Sequence, residues 1–132
     1  MASSLRLIEL EFTILEFFEN YVISQPREGQ LLAAKQVEDL VEVCSDFYEG
    51  RNFVYLSYRV NDYNVNPTIY LNLDKVKNLA GIGIVSKKVA SLNMANFEQR
   101  FSKVPYEIFL ELDEALAWVQ EVLEAKNKKA EL

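Results

Sequence analysis

One polar stretch of the chain carries the side chains best suited to binding chemistry. The segment FVYLSYRVNDYNVNPTIY runs from Phe53 to Tyr70. Within it, Arg59 would supply a fixed positive charge with a planar donor fork, and Tyr63 would supply contact area at small entropic cost. A helix predicted to start just after this loop would favour anions at its N-terminus, so we expect a carboxylate or a partner's acidic side chain to bind. The candidate residues are Tyr58, Arg59, Asn61, Asp62, Tyr63, Asn64 and Thr68.

The alternative is a purely structural role for the same loop. Arg59 would then pair with Asp62 or another local carboxylate and close the loop without binding a partner. Substitution separates the two hypotheses, because only a closing loop loses stability when its arginine is removed.

The composition argues against catalysis. The chain has no histidine, the side chain most often used as a base at neutral pH and the commonest metal ligand. Carboxylates, lysines and tyrosines remain as catalytic groups, but the sequence pairs no nucleophile with a base. Cys44 lies on an apolar helical stripe, so we interpret it as core, and a single cysteine allows no internal disulfide. We expect a protein that is not an enzyme and holds no metal or cofactor.

Charge and hydropathy limit the partners and the location. A formal charge of −6 and a pI near 4.7 oppose attachment to phosphate backbones and anionic lipid surfaces, so we expect no nucleic-acid partner. No apolar run approaches the roughly 20 residues of a membrane-spanning helix, which predicts no stable membrane insertion. The start MASSLRLIELEF lacks the pattern of a secretory signal. We expect a cytoplasmic protein.

Hydrophobic periodicity predicts an α/β fold. Alternation from Leu5 to Ile14 indicates a half-buried strand, with Ile8 and Ile14 on the same face, and Glu19-Asn20 would turn the chain into a second strand. A helix should end at Gly50, and Asn66-Pro67 is typical of a helix start. The later predicted elements are a helix over Leu31–Tyr48, a central strand over Phe53–Val60, a helix over Pro67–Lys77, a strand over Leu79–Val85, a helix over Ser86–Phe101, a strand over Tyr106–Leu110 and a last helix capped by Asp113.

The order of elements is ββαβαβαβα in one domain spanning residues 1–132. It predicts a mixed sheet of about five strands with about four helices, because strands joined by helices must run parallel. The alternate spacing of Gly81 and Gly83 predicts a helix packed closely over the sheet rather than a phosphate-binding loop. The polar tail from Lys126, residues 126–132, should fray.

Two segments resemble a known family. LAGIGIVSKKVASL is a glycine-containing strand before a helix, and YEIFLELDEALAWVQEVL is a short strand followed by an acidic cap and an Ala-Trp helix. With the element order, they resemble small bacterial STAS/SEC14-type proteins of SpoIIAA-like fold and unknown function. That fold is shared by bacterial anti-sigma-factor antagonists, sulphate-transporter tails and, more loosely, the lipid-binding lobe of Sec14-type proteins.

The resemblance implies this fold and a tendency to bind partners. Because the chain also has no histidine and no nucleophile paired with a base, we expect a non-catalytic interaction or regulatory module with a protein partner, for which a homodimer is our expectation. Anti-sigma-factor antagonists carry a phosphorylated serine after the strand that corresponds to Phe53–Val60, and this loop has neither serine nor glycine, so we do not transfer that switch. The alternative is a carrier or sensor of an apolar or lipid-like ligand, suggested by eight Phe and seven Tyr residues. An ordinary core accounts for most of those aromatic side chains.

Overall fold

A six-stranded mixed sheet is the frame of the molecule. The computed structural model describes residues 3–131 and the side chains of residues 3–129. Its strands are β1 (Arg6–Glu9), β2 (Thr13–Phe17), β3 (Tyr21–Pro26), β4 (Leu31–Leu32), β5 (Phe53–Tyr58), β6 (Asn64–Val65), β7 (Leu79–Val85) and β8 (Tyr106–Phe109). Its helices are α1 (Ala34–Tyr48), a 3₁₀ helix (Pro67–Lys75), α2 (Val89–Gln99) and α3 (Leu112–Glu131).

The strands of the large sheet stand in the order β1-β2-β3-β5-β7-β8. The first three strands are antiparallel neighbours, whereas β3, β5, β7 and β8 run parallel to one another. The parallel strands are joined through helices, as that direction requires. The prediction of an α/β fold with a mixed sheet and β5 at its centre is confirmed. A separate pair, β4 and β6, joins the segment before α1 to the loop after β5.

The N-terminal region contains one strand more than the sequence predicted. The expected strand over Leu5–Ile14 is divided by a tight turn in which the amide of Leu10 donates to the carbonyl of Thr13 at 2.8 Å. Ile8 lies opposite Leu15 in the register of β1 and β2, so Ile14 faces the other side of the sheet from Ile8. The alternation hid this turn because no glycine, proline or asparagine marks it. The predicted turn at Glu19-Asn20 joins β2 to β3.

The helices cover the two faces of the sheet unequally. Helices α1 and α2 and the 3₁₀ helix share one core cluster, to which they contribute Leu40, Tyr48, Tyr70 and Ala95. The other cluster contains buried residues of α3 against Val54 and Leu56 of β5. Strand β5 is therefore covered on both faces, as its apolar run predicted.

The helix boundaries follow local rules. Helix α1 ends at Tyr48, after which Glu49 and Gly50 take left-handed φ angles of 49° and 86°. Asn66 caps the helix predicted at Asn66-Pro67, since its side chain accepts the amide of Thr68, but that helix is of the 3₁₀ type. Helix α3 starts one residue before Asp113 and extends to Glu131. The segment predicted to fray is thus helical over residues 126–131, and residue 132 lies outside the described residues.

The two glycines of β7 allow α3 to approach the sheet, as predicted. A Cβ atom at Gly81 would lie 2.8 Å from Cη2 of Trp118, and a Cβ atom at Gly83 would lie 2.6 Å from Cδ2 of Leu56. Because carbon atoms in contact keep about 3.5–4.0 Å apart, a methyl group at either position fits only if these neighbours shift.

We expect Gly81→Ala to lower the free energy of unfolding by about 1–3 kcal/mol, because the new methyl group overpacks the contact with Trp118. Urea denaturation measures this cost. Trp118→Leu should relieve much of the cost of Gly81→Ala but less of that of Gly83→Ala, whose nearest atom belongs to Leu56. Strict additivity of Trp118→Leu with both glycine substitutions would contradict this account.

Candidate functional site

The carboxyl ends of β5, β7 and β8 lie at one edge of the sheet and enclose a cleft of about 300 Å³. Open α/β sheets commonly bind ligands and partners at this edge. The cleft is lined by Tyr58, Arg59, Val60, Val85, Ser86, Lys87, Lys88, Leu110, Glu111 and Leu112.

The cleft combines exposed apolar side chains with two ion pairs. Val60 is 40% exposed and Leu110 is 54% exposed. Lys87 Nζ lies 2.8 Å from Glu111 Oε1, and this hydrogen bond raises the pKa of Lys87. Lys87 is therefore protonated at neutral pH and unsuited to act as a base. The second pair joins the sequence-predicted Asp62 to the cleft, with its Oδ1 3.2 Å from Nζ of Lys88.

Beneath the cleft, Ser86 fixes the end of β7. Its side chain is 2% exposed, and its Oγ accepts the amide of Lys88 at 3.1 Å and donates to the carbonyl of Arg59 at 3.4 Å. These two bonds hold the ends of β5 and β7 together and position Lys88 at the rim.

Arg59 borders the cleft, but its guanidinium is buried in the core. Its side chain forms a two-pronged pair with Glu98 of α2, at 2.9 Å from Nη1 to Oε2 and 2.7 Å from Nη2 to Oε1. Burial alone would lower the pKa of Arg59, but the hydrogen bonds to Glu98, together with the charge of Glu98 and the nearby tyrosines, outweigh it, and the net shift is upward. The partner is thus a carboxylate 39 residues away, not the nearby Asp62. Because the guanidinium of Arg59 is buried and bonded to Glu98, its charge does not face the cleft, where we expected it to meet a ligand.

Three tyrosines surround this ion pair. Tyr70 donates its hydroxyl hydrogen to Oε1 of Glu98 at 2.6 Å, and Tyr106 reaches the same oxygen at 3.5 Å. Tyr63 is hydrogen-bonded to Ser57 at 3.2 Å, and the centre of its ring lies 5.1 Å from Cζ of Arg59. Burial, followed by the nearby Glu98, raises the pKa of Tyr70 and of Tyr106, so both remain neutral donors.

The other sequence-predicted residues take separate positions. The side-chain amide of Asn61 donates to the carbonyl of Pro26 at 3.2 Å, and Asn64 lies in β6 opposite Leu31. The hydroxyl of Thr68 donates to Asn66 in the cap of the 3₁₀ helix.

The structure thus brings Tyr58, Arg59 and Asp62 to the cleft and turns Tyr63 inward. Binding by the seven predicted residues stays a prediction.

Sequence reasoning missed most of the cleft, because it considered the end of only one strand. Lys87, Lys88 and Glu111 follow β7 and β8 in the chain. Their signal was available, since the carboxyl ends of neighbouring parallel strands meet at one edge of a sheet. Glu98 gave no such signal, because a glutamate within a helix is usually on the solvated face.

Comparison with known proteins identifies the fold. No family model and no curated protein matches the chain. Among solved structures, the chain is similar to an uncharacterized protein from the DUF3478 family from Shewanella loihica PV-4, whose crystal structure is described as having a SpoIIAA-like fold. The similarity has a TM-score of 0.53 at 14% sequence identity and covers 90% of this chain and 98% of the other.

The fold is SpoIIAA-like. At this level of identity the likeness extends to the fold alone, and it confirms the fold that the element order and the two quoted segments suggested. Among the helices that the structure describes, none has the length and apolarity needed to cross a membrane.

Besides the cleft, the chain contains an apolar cavity of about 60 Å³ on the face of the sheet covered by α1 and the 3₁₀ helix. Cys44 lies in its wall, and burial raises the pKa of this thiol from 9.0 to about 12. The interpretation of Cys44 as a core residue is confirmed by its exposure of 4%.

We expect Cys44 to resist thiol reagents in the folded protein. The shift from 9.0 to about 12 lowers the thiolate fraction near pH 8 about a thousandfold, and the thiolate is the reactive form. Labelling rates of native and urea-unfolded protein measure this difference. Equal rates in the two states would show that the thiol is accessible.

The same shift predicts a loss of stability in alkali. Because the folded state holds the proton more tightly, this contribution is complete below about pH 9 and is lost as the pH rises toward about 12. Cys44→Ala should therefore show a shallower decline of the free energy of unfolding over that range.

We expect Arg59→Ala to lower the free energy of unfolding by about 3–5 kcal/mol, because it leaves the Glu98 carboxylate buried without its partner. The double variant Arg59→Met with Glu98→Leu should cost less than Arg59→Ala, since both charges are removed together. Urea denaturation measures both. Lys88→Ala at an exposed ion pair is the control and should cost less than about 1 kcal/mol. If Arg59→Ala costs as little as Lys88→Ala, the assignment of a buried ion pair between Arg59 and Glu98 is contradicted.

Proposed function

We propose that this chain is a cytoplasmic, non-catalytic interaction module of SpoIIAA-like fold that binds a protein partner in the cleft at the carboxyl ends of β5, β7 and β8. One observation carries the proposal: the exposed side chains of Val60 and Leu110 lie in a cleft beside two ion pairs. Protein interfaces have this composition, with an apolar centre and a polar rim.

The energetics favour exchange of the rim contacts. Lys87 and Glu111 are 71% and 58% exposed, and exposed ion pairs of this kind contribute about 0–1 kcal/mol. A partner's charged side chains can therefore replace them at little cost. Burial of Leu110 and Val60 then supplies the favourable term, since apolar area removed from water contributes about 25 cal/mol per Å².

The protonation states support a role without catalysis. Lys87 has a raised pKa and so holds its proton, and the chain has no histidine to serve as a base near pH 7. Tyr63, Tyr70 and Tyr106 have raised pKa values caused first by burial, which disfavours a tyrosinate nucleophile.

A carrier of an apolar or lipid-like ligand is the weaker candidate. The apolar cavity measures about 60 Å³, whereas an apolar cavity known to bind benzene measures about 150 Å³. A lipid chain would require α1 and the 3₁₀ helix to separate.

We expect Leu110→Glu to reduce capture of the partner at least tenfold in a pull-down with the purified chain as bait, since it places a charge in the apolar centre of the cleft. Leu71→Glu is the matched control, because Leu71 is 40% exposed in the 3₁₀ helix, away from the cleft. Both variants should keep the melting temperature of the parent, since both leucines are at the surface.

Sedimentation velocity separates a second copy of the chain from another partner. A dimer that Leu110→Glu dissociates and Leu71→Glu preserves would identify the partner as the chain itself. Equal capture by both variants would contradict the cleft assignment. A substrate whose turnover is abolished by Lys87→Met would contradict the non-catalytic role.

A further inference from the structure

A second cleft, of about 240 Å³, lies at the opposite edge of the sheet. It is formed by the end of the 3₁₀ helix, the amino ends of β7 and β8, and the C-terminal half of α3. Its floor is apolar and includes Leu79, Ala80, Val104 and Val122. No part of the proposed partner site lies at this edge.

The rim of this second cleft is basic in an acidic chain. Lys77, Lys103, Lys126 and Lys129 line it, together with the single carboxylate of Asp74. These five residues carry a formal charge of +3, and since the whole chain carries −6, the remainder carries −9. Among side chains 3–129, none of the four lysines has a carboxylate within 4 Å.

Helix electrostatics explains only part of this cluster. Lysines in the last turns of α3 complement the negative end of the helix dipole, which accounts for Lys129. Lys77 follows the 3₁₀ helix and Lys103 precedes β8, so neither is placed by that dipole. Three separate segments thus bring positive charge to one concave surface.

The shape and the surrounding charge indicate the size of the ligand. The rest of the chain, with its formal charge of −9, repels a long polyanion that extends beyond the cleft. This repulsion acts over about 8–10 Å, the distance over which charges are felt at physiological ionic strength. A compact anion inside the cleft is screened from most of that field and lies against several ammonium groups. The apolar floor favours a ligand with a hydrocarbon part, because such a part would remove the floor from contact with water.

We propose that this second cleft binds a compact organic anion, with a carboxylate or phosphate held by the lysines and a short apolar body on the floor. Each lysine ammonium group acts as a compact point charge, whereas an arginine would present a planar donor fork. Several lysines can therefore surround one carboxylate or phosphate group. Such a molecule occurs free or as the head of a lipid, and the test distinguishes these sources.

Hexyl phosphate is the probe, and inorganic phosphate and hexanol represent its two halves. In a titration followed by NMR, hexyl phosphate should shift the backbone amide signals of Lys77, Ala80 and Lys103 until the shifts reach a plateau. It should bind at least tenfold more tightly than inorganic phosphate or hexanol. Added salt should weaken the binding, because the charged contacts are exposed. Inorganic phosphate binding as tightly as hexyl phosphate would overturn the role of the apolar floor.

Two double variants test the position of the site. Lys77→Gln with Lys103→Gln should weaken hexyl phosphate binding at least tenfold. Arg6→Gln with Lys35→Gln removes the same charge outside both clefts and should leave binding within about twofold of the parent. All four side chains are exposed, so both variants should fold. Equal losses in the two variants would indicate unspecific attraction and overturn the proposal.

Two further probes set the limits of the ligand class. Vesicles of phosphatidylcholine and phosphatidic acid should retain the protein if the ligand is a lipid head. Binding of free hexyl phosphate without retention by these vesicles would identify the ligand as a soluble molecule. Binding of a polyglutamate peptide without any shift by hexyl phosphate would overturn the proposal in favour of an acidic protein segment. The cleft of the proposed function is unaffected by any of these outcomes, because its test measures partner capture at Leu110.

Discussion

The buried ion pair between Arg59 and Glu98 is the constraint on which much of the structure depends. Removing two charges from water costs several kcal/mol for each ion, and only good geometry with satisfied neighbours compensates for that cost. Both prongs of the pair are formed, and Tyr70 adds a third hydrogen bond. Among the described side chains, no buried nitrogen or oxygen lacks a hydrogen-bond partner. The pair joins β5 to α2 and thereby fixes the distance between the central strand and the helix that follows β7.

This pair also explains why the sequence predicted the fold better than the site. Strand β5 and the cap at Asn66 follow rules that act within a few residues, and the structure confirms both of them. The pairing of Arg59 depends on Glu98, which lies in α2, beyond the 3₁₀ helix and β7 in the chain. No rule that acts within a few residues could have predicted this contact. The loop after β5 is rich in tyrosine and asparagine, and this sequence pattern is the same whether Arg59 faces solvent or the core.

The two clefts lie at opposite edges of the same parallel strands. At the carboxyl edge, β5, β7 and β8 end in a surface of apolar side chains with paired charges. At the amino edge, the same sheet meets lysines without described partners. Strand β7, which runs between them, consists mostly of β-branched and small residues, and α3 covers one of its faces closely, so the two surfaces are held at a fixed separation by a stiff core.

The small pair β4 and β6 gives the loop after β5 a second attachment. The amide of Gly29 donates to the carbonyl of Asp62, and those of Asn64 and Asn66 donate to the carbonyls of Gln30 and Leu32. These bonds tie the loop to the residues that lead directly into α1. Force applied at Asp62 would therefore be shared with the first turn of α1 rather than absorbed by a slack loop. A displacement at the rim of the cleft would therefore reach the helix over the apolar cavity through backbone hydrogen bonds.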